Sequence, residues 1–173
     1  MHRNNAQWLL EQWYRRRNWA MSDEFEGPSL NLNKWVTLPF AWAGRRPGLF
    51  KPENVTQKNG ALKITVKKEN AGPGWDYTTG YVRSRAYQKY GYFEIGCMPA
   101  PAAFSSAFWL NNNSARHWTE IDVFENGTWR GKENDFNMNT HIFRLRKIKQ
   151  TLPVPCSARL RIFNMLLMFG LIN

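Results

Sequence analysis

Three carboxylates crowd into six residues of this chain: Glu120, Asp122 and Glu125, separated by Ile121, Val123 and Phe124. Ile, Val and Phe favour strands. Alternate residues of a strand share a face, so Glu120 and Asp122 point one way while Ile121 and Val123 point the other. Strict alternation would send Glu125 to the wrong side. One extra residue, a β-bulge, brings it back into phase, and bulges recur beside active sites. The spacing therefore predicts three acids on one face of a strand whose other face is apolar. Acids this close repel, and at least one should hold its proton to unusually high pH. Two carboxyls about 5–5.5 Å apart, one ionised and one protonated, are what retaining hydrolysis of a glycosidic bond requires. The plain alternative is a solvated acidic edge. Against it stand the flanking aromatics: Phe104, Phe108, Trp109 and Trp118 before the acids, Trp129 and Phe136 after. Flat aromatic faces suit the C–H faces of sugar rings.

The elements that must position these acids read as strands. Leu62, Ile64 and Val66 alternate with Lys63, Thr65 and Lys67, the pattern of a half-exposed strand. Asn59-Gly60 just before them is a hairpin-turn signal. Further strands are expected at 78–86, 90–98, 104–110, 117–125 and 136–143, separated by Gly, Pro and Asn clusters. Short strands at this spacing predict an all-β sandwich or jelly roll.

Several stretches together resemble glycoside hydrolase family 16. Glu120-Ile-Asp-Val-Phe-Glu125 is similar to the family's catalytic signature in its bulged form, found in laminarinases, agarases, porphyranases and carrageenases. Ser22-Asp-Glu-Phe-Glu-Gly27 followed by Leu32-Asn-Lys-Trp35 resembles the opening pattern, and Asn54-Val-Thr56 through Gly60-Ala-Leu-Lys-Ile64 the next strand pair. Thr79-Gly-Tyr-Val-Arg-Ser84, Tyr90-Gly-Tyr-Phe-Glu94 and Ala107-Phe-Trp-Leu110 resemble the strands that precede the catalytic one. The likeness covers roughly residues 19–143. It implies a concanavalin A-like jelly-roll β-sandwich and endo-hydrolysis of a β-linked polysaccharide with retention. Glu120 would be the nucleophile, Glu125 the acid/base, and Asp122 the group between them that hydrogen-bonds Glu120. No organic cofactor is implied. A structural calcium occurs in some relatives, but no ligand cluster in the sequence identifies one, and the three His have no spacing for a transition metal.

Other residues are candidates for substrate contact. Trp42-Ala-Gly-Arg-Arg-Pro47 joins an aromatic to two guanidinium groups, and Arg is shaped for bidentate anion recognition. Arg45 or Arg46 would meet a sulfate if the substrate is a sulfated galactan; otherwise this is an exposed basic loop. Trp75, at a turn, is either a sugar platform or a packing plug. Trp35 is assigned to the core. Trp109 divides between core and subsite floor, and the resemblance, which places a Trp beside the nucleophile, favours the site. Trp118 belongs to the aromatic surround. His141 follows the polar run Asn137-Met-Asn-Thr140, and the resemblance puts a His near the acid/base residue. The loop and Pro47-Gly-Leu-Phe50 incline the reading to red-algal galactans of the agarose, porphyran or carrageenan type, with β-1,3-glucan as the alternative.

Charge and composition set the outer bounds. The formal charge of +11 invites a nucleic-acid reading, but 14 Lys/Arg face 12 Asp/Glu within residues 19–143. The excess sits in the two ends, which argues against a nucleic-acid surface. No partner other than polysaccharide is expected: no nucleic acid, no membrane, and a monomer. Cys97 reads as a buried free thiol in a strand, and neither it nor Cys156 suggests a disulfide framework. Residues 1–18 form a basic extension without the apolar core of a secretory signal, although the resemblance implies an extracellular or periplasmic enzyme. From 144 to 173 the chain turns basic and apolar without strand alternation, and its last apolar run is too short to span a bilayer. This tail reads as a frameshifted or read-through end replacing family strands. The sandwich would then be incomplete, with exposed sheet edges and poor solubility. A carbohydrate-binding protein without activity is the corresponding rival.

Overall fold

The computed structural model describes residue 12 and residues 17–39, 42–100, 104–112, 117–126, 135–144 and 164–172. Among these residues eleven strands follow in order: β1 (Trp35–Val36), β2 (Gly44–Arg45), β3 (Gly48–Phe50), β4 (Val55–Gln57), β5 (Leu62–Ile64), β6 (Lys67–Lys68), β7 (Tyr77–Ser84), β8 (Phe104–Asn111), β9 (His117–Asn126), β10 (Phe136–Arg144) and β11 (Asn164–Ile172). In the larger sheet the order is β10-β9-β8-β11-β7-β3-β2, with β1 and β6 also paired to β7. β4 and β5 form a separate hairpin. Its turn is at Asn59-Gly60, both at positive φ, as the two-residue hairpin signal requires.

That hairpin lies face to face with the sheet. Gly80, in the middle of β7, makes the approach close: a Cβ there would stand 2.7 Å from Ile64 Cγ2 and 2.8 Å from Val55 Cγ2. Between the layers Trp35, Val82, Phe108, Leu110 and Phe124 are buried together, with Phe25, Leu30, Val55, Leu62, Ile64, Phe93, Ile95, Ile121 and Val123 packed around them. Trp35 is in this core, as its sequence context predicts. The opening motif anchors it: Trp35 Nε1 donates to Asp23 Oδ2 at 2.8 Å, and Lys34 Nζ lies 3.3 Å from the same oxygen. Burial alone would raise the Asp23 pKa, but the hydrogen bonds from Trp35 and Phe25 and the charge of Lys34 outweigh it and hold the carboxyl below its ordinary value.

Three sequence expectations are corrected. The 90–98 segment forms no ladder among the described residues; it is extended, with Phe93 and Ile95 half-buried on the core. Cys97, expected to be buried, is exposed. The tail, expected to lack strand logic, contributes β11, which pairs antiparallel to both β7 and β8. Asn164-Met-Leu-Leu-Met-Phe-Gly-Leu-Ile172 is apolar without alternation. A search for period two passes over such a run. The edges of β7 and β8 are thereby paired rather than exposed. Among the described residues no helix is long and apolar enough to cross a membrane.

Candidate active site

The strand β9 carries the acids, and its pairing fixes their direction. Against β8, Ala107 stands opposite Glu125, Phe108 opposite Phe124, Trp109 opposite Asp122, Leu110 opposite Ile121 and Asn111 opposite Glu120. The register slips between Phe108 and Trp109, so Val123 is the extra residue of a β-bulge. The β10 ladder slips at the same place: Asn137 faces Glu125, Asn139 faces Asp122 and His141 faces Glu120. Directly opposed residues share a face of an antiparallel pair. Glu120, Asp122 and Glu125 therefore stand on one face with Asn111, Trp109, Ala107, Asn137, Asn139 and His141. Ile121 and Phe124 go to the other face with Leu110 and Phe108. The bulge predicted from the acid spacing is present.

Burial and mutual repulsion disturb all three carboxyls. Glu120 is pushed up to about 7, first by burial, then by the charge of Asp122. Glu125 and a hydrogen bond to Asp122 add to this, while His141 opposes it. Asp122, 4 % exposed, is raised by burial, with His141 and the hydrogen bond with Glu120 pulling the other way. His141 Nε2 lies 3.0 Å from Asp122 Oδ2, an ion-pair contact when the ring is protonated. Glu125 is raised by burial and by Asp122, against the charges of Arg45 and His141. The three acids form one coupled titrating unit, whose protons leave in steps belonging to the group rather than to single residues. One donor atom each from Glu120, Asp122 and His141 lies within 4.8 Å of the others, a carboxylate and imidazole set that could also hold a divalent ion.

The remaining predicted residues divide. Trp109 is 7 % exposed and packs with Phe50, Tyr81 and Ala107 on the acidic side of the sheet. Trp42, 37 % exposed, meets it edge-on at 6.4 Å and caps Phe50 at 5.1 Å. Trp42 is thus the ring with more surface left for a sugar. Arg45 is close enough for its charge to be felt at Glu125. Arg46 turns away and stacks on Trp75, its Cζ 5.0 Å from the ring centroid. The side chain of Trp118 and the whole of Trp129 lie outside the described residues. The sequence reading missed Asn111, Asn137 and Asn139 as cleft residues. For the last two the signal was there: Asn137, Asn139 and His141 recur at period two.

A sequence profile for the beta-porphyranase A–D, GH16 domain matches residues 16–153. The chain belongs to this family. It is 34 % identical over 142 residues to beta-porphyranase B of Zobellia galactanivorans, covering 70 % of this chain and 48 % of that protein. With beta-porphyranase B of Phocaeicola plebeius it shares 33 % over 139 residues, 71 % of this chain and 41 % of the relative. The chain spans about half the length of the curated relatives it matches. The crystal structure of the beta-porphyranase from the human gut bacterium Bacteroides plebeius superposes with a TM-score of 0.72 at 20 % identity, over 89 % of this chain and 80 % of the other. That likeness shows the fold, the jelly-roll sandwich of the family.

Proposed function

We propose that this GH16 protein is an endo-glycoside hydrolase that cleaves a β-linked, sulfated red-algal galactan of the porphyran type with retention of configuration. One observation carries the reading: the bulge at Val123 that aligns Glu120, Asp122 and Glu125 on one face beside aromatic rings. Glu120, once ionised, attacks the anomeric carbon and forms a glycosyl-enzyme, while Glu125 gives its proton to the departing oxygen. Glu125 then takes a proton from water, whose oxygen attacks the same carbon and frees Glu120. Asp122 accepts the hydrogen bond of protonated Glu120 and is steadied by His141. These steps use only the three side chains and a water molecule.

The substrate class draws support from the similarity to beta-porphyranases and from the Trp42–Arg45 hairpin, which offers a ring for a sugar and a guanidinium for a sulfate. A polymer of this kind is met outside the cytoplasm, which makes an extracellular or periplasmic site the companion proposal. Reducing ends released from porphyran, with agarose, carrageenan and laminarin alongside, test the activity. The first product seen by proton NMR should be the β-anomer. Glu120→Gln and Glu125→Gln should each cost at least ~100-fold in rate. Release from none of the polymers, or a Glu125→Gln protein as fast as the parent, would overturn the proposal.

A further inference from the structure

The hairpin of β2 and β3 carries Trp42 and Arg45 to the acidic face, yet β2 is two residues long and so brief a strand holds itself poorly. Parallel pairing of β3 with β7 holds one arm of the hairpin, while β2 pairs with β3. Arg46, next to Arg45 at the turn, adds a second hold by lying over the indole of Trp75 at 5.0 Å. The loop beneath is firm: Trp75 N–H donates to Gly72 O at 2.9 Å, Ala71 N–H to Trp75 O at 2.8 Å and Gly72 N–H to Asn70 Oδ1 at 2.9 Å. Gly74, at φ 76°, admits the guanidinium, because a Cβ there would collide with Arg46 Nη1. Tyr77 N–H then closes the seam on Pro47 O at 3.1 Å.

We propose that Arg46, Gly74 and Trp75 form a clamp that positions the β2–β3 hairpin, so that Arg46 and Trp75 act on catalysis by placing Arg45 and Trp42 rather than by touching substrate. This rests on the reading of Glu125 as the proton donor. The adjacent arginines divide the labour: the charge of Arg45 reaches Glu125, and Arg46 fastens the hairpin that carries it. Arg45 pulls against the rise of the Glu125 pKa, so a loosened hairpin should let Glu125 titrate higher.

The test compares Arg46→Gln, Trp75→Ala and Arg45→Gln in the full chain, with Arg46→Lys and Trp75→Phe as conservative partners. Glu125 is followed by NMR titration of its side-chain carboxyl carbon, a readout that needs no turnover. Arg46→Gln and Trp75→Ala should each move the Glu125 titration upward, in the direction of Arg45→Gln, and Trp75→Phe should restore it. On porphyran, KM should rise about fivefold, the loss expected for one exposed cation–π contact, with little change in kcat. The double variant should be no worse than either single one. An unmoved Glu125 titration in Arg46→Gln, or in Arg45→Gln itself, would overturn the clamp. So would a KM effect of Arg46→Gln on sulfated polymers that Trp75→Ala does not share, because direct sulfate contact by Arg46 predicts it. If Trp75→Ala fails to fold, Arg46→Gln, at an exposed side chain, decides alone. A parent protein that releases no reducing ends sinks the hydrolase proposal, and the titration still judges the clamp.

Discussion

The carboxyl of Glu120 must lose its proton in surroundings that favour keeping it. With a folded-state value of about 7 against an ordinary 4.5, the proposed nucleophile ionises at higher pH than an ordinary glutamate, in steps shared with Asp122 and Glu125. The acid limb of kcat/KM should therefore lie above that of an ordinary glutamate. Asp122→Asn removes the like charge that ranks second after burial, so the limb should move to lower pH even as kcat falls. A limb that stays in place would show that Asp122 does not set it. The same shift bears on stability. Below about pH 4.5 the folded and unfolded chains are both protonated at this site, and no penalty exists. Between 4.5 and 7 the unfolded chain releases the proton first, and folding loses ground as pH rises. Glu120→Gln should then stabilise the protein at pH 8 and leave it unchanged at pH 4. The group is only half-buried, so the gain is on the order of 1 kcal/mol, or ~2–4 °C in Tm. Thermal melts at the two pH values check this.

At the scale of the element, β9 works by parity. With Val123 in the bulge, six residues behave as five, and Glu125 joins Glu120 and Asp122. Deleting Val123 leaves Glu-Ile-Asp-Phe-Glu, a regular strand that still sends all three acids to one face. Removing Phe124 as well leaves Glu-Ile-Asp-Glu, whose regular alternation sends Glu125 to the core side beside Phe108. The single deletion should keep measurable activity, whereas the double deletion should lose the ~10²–10⁴-fold contributed by a general acid. The double deletion should also lower Tm, since an unpaired buried carboxylate is costly. Reducing-end assays and melts on the pair give the answer, and equal damage from both would refute the parity account. This bulge was legible because the acid spacing of two then three violates strand period in a correctable way. β11 was not, since its apolar run carries no period of two. Nor was the Arg46–Trp75 stack, in which 28 intervening residues separate the partners and no local pattern links them. The sequence left Trp75 open between sugar platform and packing plug, and only the three-dimensional contact supplies the guanidinium that occupies it.

Across the whole molecule, the two faces of the large sheet have different chemistry, and β10 displays the contrast within one strand. Asn137, Asn139 and His141 look towards the acids, while Phe136, Met138 and Ile142 look the other way and remain open, Met138 at 74 % and Ile142 at 68 % exposure. Among the described residues β10 ends the strand order of the sheet, so these apolar side chains also border an edge that no described strand pairs. Exposed apolar surface beside a free strand edge favours self-association. Because successive side chains point to opposite faces, this surface can be altered without touching the cleft. Met138→Lys with Ile142→Thr should raise the soluble fraction and bring the light-scattering mass towards that of a monomer. Rates on porphyran at equal monomer concentration should stay unchanged. If the double variant aggregates as the parent does, the association lies on another surface. If it dissolves but loses activity, the two faces of β10 are not independent, and the separation between its cleft side and its core side fails.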